Sequence, residues 1–177
     1  KPLSKRCKMS IVMVISALGP GGAERIISAL ANYRQSTGCD VHIVTFAKSN
    51  HDPFFTLDKN ISLTHLDQSK ATANAPMRMV NICSRIKALR HFIKSKSPDH
   101  IVSFIDVTNL TTLLAGHNLK IPITVSERTD PAVHALPNAY RWVRKLLYKK
   151  ANSVVVQTRF TQEYFKDLNT LKIIPNP

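Results

Sequence analysis

Strand-like and helix-like segments alternate along almost the whole chain, and this alternation constrains its fold more than any other feature. Several apolar runs rich in β-branched residues have the length of strands, and most segments between them repeat apolar residues every three or four positions, as amphipathic helices do. Buried strands separated by helices predict βαβ units, a mainly parallel sheet and a doubly wound α/β domain. The predicted strands are residues 10–18, 41–46, 61–66, 101–105, 123–126, 153–157 and 171–174.

The length of the chain favours one compact domain with one core. Its 177 residues are somewhat more than one domain of roughly 150 residues, and 44% of them are apolar. In parallel sheets of this kind, ligands bind beyond the carboxyl ends of the strands. The residues that directly follow each strand are therefore the first candidates for a functional site. The predicted helices are residues 24–37, 77–95, 109–116, 140–150 and 159–168.

A glycine turn joins the first predicted strand to the first helix. Small residues at a helix N-terminus leave backbone N–H groups accessible to an anion, so Gly21 and Gly22 are predicted to bind a phosphate; a simple tight turn is the alternative. No Lys-Ser or Lys-Thr pair follows these glycines, which argues against a Walker loop. Glu24 replaces the third glycine of a dinucleotide motif, and residues 46–48 lack the acidic residue that binds ribose. NAD is therefore disfavoured.

Four segments, in the same order along the chain, resemble one enzyme family. They are G-G-A-E-R at 21–25, S-E-R-T-D-P at 126–131, L-Y-K-K-A-N at 147–152 and I-P-N-P at 174–177. These segments resemble those of bacterial family 4 glycosyltransferases, which are retaining enzymes of the two-domain GT-B fold. The resemblance implies that this chain is the Rossmann-like, N-terminal, acceptor-side half of such an enzyme.

The same resemblance implies how the chain is divided. Residues 1–9 would be a basic N-terminal extension, residues 10–174 the Rossmann-like domain, and residues 175–177 the start of a linker to a C-terminal domain. That second domain carries most donor contacts in the family. The isolated N-terminal half is therefore expected to be inactive.

The resemblance also implies a reaction, namely transfer of a sugar from a nucleotide-diphosphate donor to a lipid-linked or polysaccharide acceptor in cell-envelope glycan synthesis. Gly21 and Gly22 would bind the donor diphosphate through their backbone N–H groups. Glu127 and Arg128, which follow the fifth predicted strand, are the predicted catalytic residues. Glu127 would orient an acceptor hydroxyl, and Arg128, which stays protonated, would anchor phosphate or acceptor hydroxyls. Structural pairing of both side chains within their loop is the alternative.

Three further polar residues lie where a cleft is expected. Asp106 and Asn109 follow the fourth predicted strand, and Asp130 follows the fifth. All three are predicted to line the acceptor cleft. Asn109 is equally suited to cap a helix.

The charge of the chain predicts an anionic partner. It has 25 Lys and Arg against 11 Asp and Glu, which gives a formal net charge of +14. Four basic residues share one face of the helix at 140–150, opposite an apolar face. The basic face suits an anionic membrane surface; an ordinary solvated face is the alternative. These residues are Arg141, Arg144, Lys145 and Lys149. A bilayer-spanning helix needs about 20 consecutive apolar residues, and the sequence has no such run. We therefore expect a cytoplasmic protein bound peripherally at the inner leaflet of the plasma membrane.

A basic nucleic-acid-binding α/β module is the alternative from another functional class, because the same charge suits a phosphate backbone. The sequence argues against it, since it has no zinc-finger spacing, no basic region with heptads and no aromatic RNP signature. We expect neither a metal nor a cofactor, because the seven histidines and three cysteines show no ligand spacing. The nucleotide-diphosphate sugar is expected to be a substrate.

Overall fold

The strands of the chain form one fully parallel sheet, as the alternation predicts. The computed structural model describes residues 9–68, 75–129, 138–168 and 170–175. Within those residues the strand order is β3-β2-β1-β4-β5-β6-β7, and every neighbouring pair is parallel. The strands are β1 Ser10–Ile15, β2 Asp40–Thr45, β3 Ser62–His65, β4 His100–Phe104, β5 Ile123–Ser126, β6 Ser153–Val156 and β7 Leu171–Ile173.

Helices join most of these strands and cover the sheet. They are α1 Gly22–Ser36, α2 Ala75–Lys96, α3 Asp106–Ala115, α4 Asn138–Tyr148 and α5 Arg159–Tyr164. This architecture confirms the predicted doubly wound, Rossmann-like α/β fold. The largest boundary differences are in β1, which ends at Ile15 rather than at residue 18, in α3, which begins at Asp106 rather than at residue 109, and in α5, which ends at Tyr164 rather than at residue 168.

The two faces of the sheet have separate cores because strand side chains alternate. Val12 and Val14 of β1 point into a core with α2, α3 and α4, to which Leu89 and Leu110 contribute. Ile11, Met13 and Ile15 of the same strand point to the opposite side, where Ile27 and Ala31 of α1 cover them. The continuous apolar run of β1 is thus explained by burial on both faces, as in other parallel sheets.

The strand order reverses direction next to β1. The chain first builds outward from β1 to β2 and β3, then crosses back to place β4 on the other side of β1 and continues outward to β7. In open parallel sheets the crevice at such a reversal, beyond the carboxyl ends of the strands, is where ligands bind. The fold therefore directs attention to the ends of β1 and β4.

Candidate functional site

An open pocket of about 280 Å³ lies at this reversal. Ser16 and Phe46, which follow β1 and β2, form part of its wall. Arg85 of α2 and the first residues of α3 complete it, from Ile105 and Asp106 onward. Because all strands are parallel, the carboxyl end of β5, which leads into Glu127 and Arg128, lies along the same edge.

The glycine turn also lies at this edge. Gly21 is the N-cap of α1 with an ordinary extended backbone (φ −91°), and Gly22 is the first helical residue. A Cβ at Gly21 would meet the carboxylate of Glu24, so a side chain there would displace this flexible group. A Cβ at Gly22 would meet no atom within 4 Å. The N-terminus of α1 thus leaves room for an anion, and diphosphate binding by Gly21 and Gly22 stays a prediction.

The Glu127 side chain is buried beneath this edge, with 1% of its surface exposed. The Tyr148 hydroxyl donates a hydrogen bond to Oε2 at 2.7 Å, and the Thr129 backbone N–H donates to Oε1 at 3.2 Å. The Arg144 guanidinium lies 3.7 Å from Oε2. Burial raises the pKa of Glu127, although these three partners each lower it. Direct contact of Glu127 with an acceptor hydroxyl does not fit this burial. Glu127 is paired structurally, but its side-chain partners lie on α4 and only the Thr129 N–H belongs to its own loop.

The prediction that Arg144 faces a membrane was wrong. Arg144 is 1% exposed and points from α4 toward the sheet. Besides its ion pair with Glu127, its guanidinium donates to the Tyr164 hydroxyl at 3.2 Å and lies 5.1 Å from the centre of the Phe165 ring. A buried arginine needs a paired carboxylate. A helical wheel built from one helix cannot show a partner such as Glu127, which lies after β5.

Asn109 does not line a cleft and does not cap a helix. It is fully buried inside α3. Its Nδ2 donates to the Ser126 carbonyl and to the Tyr148 hydroxyl, both at 3.1 Å, and its Oδ1 accepts from the Ser103 hydroxyl at 2.7 Å. Asn109 therefore joins β4, β5 and α4 to one another, and the prediction that it contacts the acceptor is corrected.

Asp106 lies at the start of α3 and lines the pocket at the reversal. Its Oδ1 accepts from the Val107 backbone N–H, and its buried Oδ2 has no hydrogen-bond partner among the described residues. The residue before it, Ile105, has φ +73°, a strained conformation for a β-branched residue. The backbone thus holds Asp106 at the pocket wall despite a local cost.

Arg128 is half-buried at the end of β5. Its Nε donates to the Ser126 hydroxyl at 2.8 Å, and its guanidinium lies 5.5 Å from the centre of the Phe104 ring of β4. Burial lowers the pKa of Arg128, but an arginine remains charged in proteins. Arg128 thus places a fixed positive charge at the edge, as its predicted role requires. Asp130, the remaining predicted cleft residue, lies outside the described residues.

The other three predicted membrane-facing residues are exposed. Arg141 of α4 also donates to the Tyr164 hydroxyl at 3.1 Å, and Lys145 lies 3.8 Å from the Asp167 carboxylate. Lys149 follows the last turn of α4. Exposed ion pairs of this kind contribute little to stability and leave the charges accessible to solvent.

Sequence reasoning missed Tyr148, Tyr140 and Arg85 as site residues. The spacing of Arg144 and Tyr148 by four positions places both on one helix face, but their apolar neighbours masked the signal. The Tyr140 hydroxyl is buried without a hydrogen-bond partner among the described residues, and burial and nearby Asp106 raise the pKa of Tyr140. Arg85 was one of many basic residues of α2, and only the fold shows that it reaches the pocket.

Among the described residues, no group of three or more His, Cys, Asp or Glu side chains is placed to hold a metal ion. None of the described helices combines the length and the apolarity needed to cross a membrane.

Comparison with known proteins decides the family. Residues 21–177 match the family described as "Glycosyl transferase 4-like domain". This chain belongs to that family. The assignment confirms the resemblance read from the four sequence segments.

A curated relative is 29% identical over 174 residues, which cover 96% of this chain and 46% of the relative. It is an alpha-1,4-N-acetyl-D-galactosaminyltransferase of Campylobacter jejuni, and its name gives its acceptor as a GalNAc-containing glycan on diNAcBac-PP-undecaprenol. The chain thus spans about half the length of the curated relative that it matches.

Solved structures show the same fold. Sucrose-phosphate synthase from Thermosynechococcus elongatus superimposes with a TM-score of 0.77 at 11% identity, over 95% of this chain and 48% of that chain. Anabaena HepE, solved in complex with UDP and glucose, gives a TM-score of 0.62 at 14% identity, over 95% of this chain and 44% of that chain. At these identities the similarity shows the fold alone, which is that of one Rossmann-like half of a GT-B enzyme.

Because Arg144 is buried and Arg141 is exposed, replacing them should change the free energy of unfolding by very different amounts. Replacing Arg144 by Met leaves the buried Glu127 carboxylate without its cation and should lower the free energy of unfolding by about 3 to 5 kcal/mol. Arg141→Met, at an exposed position three residues earlier, should cost less than about 1 kcal/mol. Urea denaturation measures both values. Equal and small losses for the two variants would show that Arg144 is not a buried partner of Glu127.

Proposed function

We propose that this chain is the acceptor-side half of a retaining glycosyltransferase, which moves a sugar from a nucleotide-diphosphate donor to a lipid-linked or polysaccharide acceptor in cell-envelope glycan synthesis. The observation that carries this proposal is the pocket at the strand-order reversal, lined by Asp106 and Arg85, in a chain of the glycosyl transferase 4-like family. The acceptor named for the Campylobacter jejuni relative supports a lipid-linked substrate.

Donor binding in this proposal is divided between two domains. The backbone N–H groups of Gly21 and Gly22 approach the donor diphosphate at the N-terminus of α1, where the helix dipole favours negative charge. A second α/β domain, entered through residues 175–177, supplies the remaining donor contacts. The chain covers only about half the length of two relatives, so each of those proteins is long enough to contain a further domain of similar size.

Acceptor binding uses the same edge of the sheet. Sugar transfer requires an acceptor hydroxyl to be held against the anomeric carbon while negative charge develops on the departing diphosphate. Asp106 accepts a hydrogen bond from an acceptor hydroxyl, and Arg128 holds acceptor or phosphate oxygens with its fixed charge. Glu127 acts as a positioning residue, because it anchors the loop that begins at Arg128 through the Thr129 backbone N–H.

Transfer assays on the full-length protein that contains this chain test the proposal. With a nucleotide-diphosphate sugar and a polyprenyl-diphosphate-linked glycan, we expect a glycosylated product by mass spectrometry, and we expect none from the 177-residue chain alone. Arg128→Gln should lower kcat/KM at least tenfold, which corresponds to about 1.4 kcal/mol of transition-state stabilisation. The control Arg34→Gln alters an arginine near the opposite edge of the sheet and should leave kcat/KM unchanged. Absence of transfer by the full-length protein with any such donor would contradict the proposal.

We also propose peripheral binding to anionic membranes at the inner leaflet of the plasma membrane, through Arg141, Lys145 and Lys149. Each exposed cation near anionic lipid contributes about 1 kcal/mol, so replacing all three by Gln should weaken vesicle binding by up to about 3 kcal/mol at low salt. A matched triple variant at the exposed residues Lys48, Lys59 and Lys172 removes the same charge elsewhere.

Sedimentation with anionic and with neutral vesicles distinguishes these variants. Only the α4 triple variant should lose binding to anionic vesicles, and neutral vesicles should bind poorly throughout. Equal losses for the two triple variants would mean that net charge, rather than α4, governs binding. Salt-sensitive binding to duplex DNA without binding to anionic vesicles would instead support the nucleic-acid alternative.

A further inference from the structure

An apolar groove of about 410 Å³ runs between α2, α3 and α4. Its walls include apolar side chains that are exposed in the folded chain, although apolar side chains of this size are usually buried. The exposed fractions are 61% for Met79, 41% for Ile82, 44% for Val107, 39% for Leu114 and 39% for Val143. A concave surface of this size and composition is typical of a site for an apolar ligand.

The groove adjoins the pocket at the strand-order reversal. Val107 and Thr111 of α3 line both cavities. The apolar groove therefore lies beside the pocket that contains Arg85 and Asp106, and α3 borders both. A ligand that fills both must have an apolar chain at one end and a polar group at the other.

The charges around the two cavities indicate the sign of that polar group. The sequence of α2, which lines both cavities, contains six Lys and Arg residues and no Asp or Glu. Arg85 donates its Nε hydrogen to the Gln68 carbonyl at 2.9 Å and lies 5.7 Å from the centre of the Phe46 ring, and it forms no ion pair with a carboxylate among the described residues. An anionic group near Arg85 is therefore favoured.

Asp106, the acidic residue of the pocket wall, fits a second part of the same ligand. Its buried Oδ2 has no hydrogen-bond partner among the described residues. A ligand hydroxyl would supply a donor to this oxygen. A sugar attached to a phosphate supplies hydroxyls next to negative charge, and an apolar chain on that phosphate extends into the groove.

A second copy of this chain fits the groove poorly. Pairing of two identical surfaces would bring the cationic helix α2 of both copies together in a chain of net charge +14. Like charges placed against one another disfavour association. An anionic amphiphile removes that repulsion.

We propose that the groove between α2, α3 and α4 binds the hydrocarbon chain of the lipid-linked acceptor, while the phosphate of that acceptor lies near Arg85 in the adjoining pocket. This inference rests on the proposed function, because it assigns a place to the lipid of the acceptor. In this proposal the hydrocarbon chain lies on the side of α4 that faces α2. The basic face of α4 is on the other side of the helix and remains available to contact the membrane.

Binding of two soluble phosphates to the 177-residue chain tests the groove. Farnesyl phosphate and isopentenyl phosphate share a head group and differ in the length of the isoprenoid chain. At concentrations below micelle formation, calorimetry should give an affinity at least tenfold higher for farnesyl phosphate. Ile82→Asn makes the groove polar and Leu114→Trp fills it, and each should reduce the ratio of the two affinities to below threefold. Arg85→Gln should weaken the binding of both phosphates.

Leu146 of α4 provides matched controls, because its side chain is 43% exposed and does not line the groove. Leu146→Asn and Leu146→Trp should keep the wild-type affinity ratio. A ratio near one in the wild-type chain, an unchanged ratio in both groove variants, or an equal loss in the Leu146 variants would overturn the proposal. So would self-association of the lipid-free chain that Leu114→Trp abolishes, since a second copy would then occupy the groove.

The outcome is separable from that of the proposed function. The binding measurement uses no sugar donor and no turnover. If the full-length protein transfers sugar but the groove variants bind both phosphates as the wild type does, the function stands and the groove assignment fails. If the chain binds farnesyl phosphate through the groove and the full-length protein transfers no sugar, the groove assignment stands and the function fails.

Discussion

A carboxylate buried at the carboxyl end of β5 connects the elements that form the candidate site. Glu127 bonds to Tyr148 and pairs with Arg144 of α4, and Asn109 of α3 reaches the same Tyr148 hydroxyl. Burying a carboxylate is costly unless such partners surround it. The positions of α3 and α4 over the sheet are therefore coupled to one ionisable group, and so is the loop that carries Arg128.

This network also explains how α4 presents two different surfaces. Because Arg144 and Tyr148 face the sheet, Val143 is directed toward the groove and the exposed Lys145 toward α5. The membrane-binding face that we propose and the groove that we assign to the acceptor chain then lie on opposite sides of one helix. A protein that takes its acceptor from a bilayer needs one surface to bind the membrane and another to bind the acceptor chain.

The sequence was sufficient to predict the fold but only part of the site. The alternation of strands and helices is read from local patterns of apolar residues, and these patterns predict the bounds of β5 correctly. The helical wheel of α4 has an apolar face that includes Val143 and Leu146, yet their side chains are 39% and 43% exposed. The buried face contains Arg144 instead, because its charge is balanced by Glu127, which lies seventeen residues away on another element. Pairing over that distance leaves no periodic signal in a sequence.

The pH dependence of stability tests the buried carboxylate most directly. Burial raises the pKa of Glu127 above its ordinary value of 4.5, so the folded state binds this proton more tightly than the unfolded state does. The wild type should therefore lose stability relative to Glu127→Gln as the pH rises from about 4.5 through the folded-state pKa, because only the wild type must then ionise a buried group. Urea denaturation of both proteins across this range measures the difference in unfolding free energy. A difference that stays constant with pH, or that changes in favour of the wild type, would contradict the account.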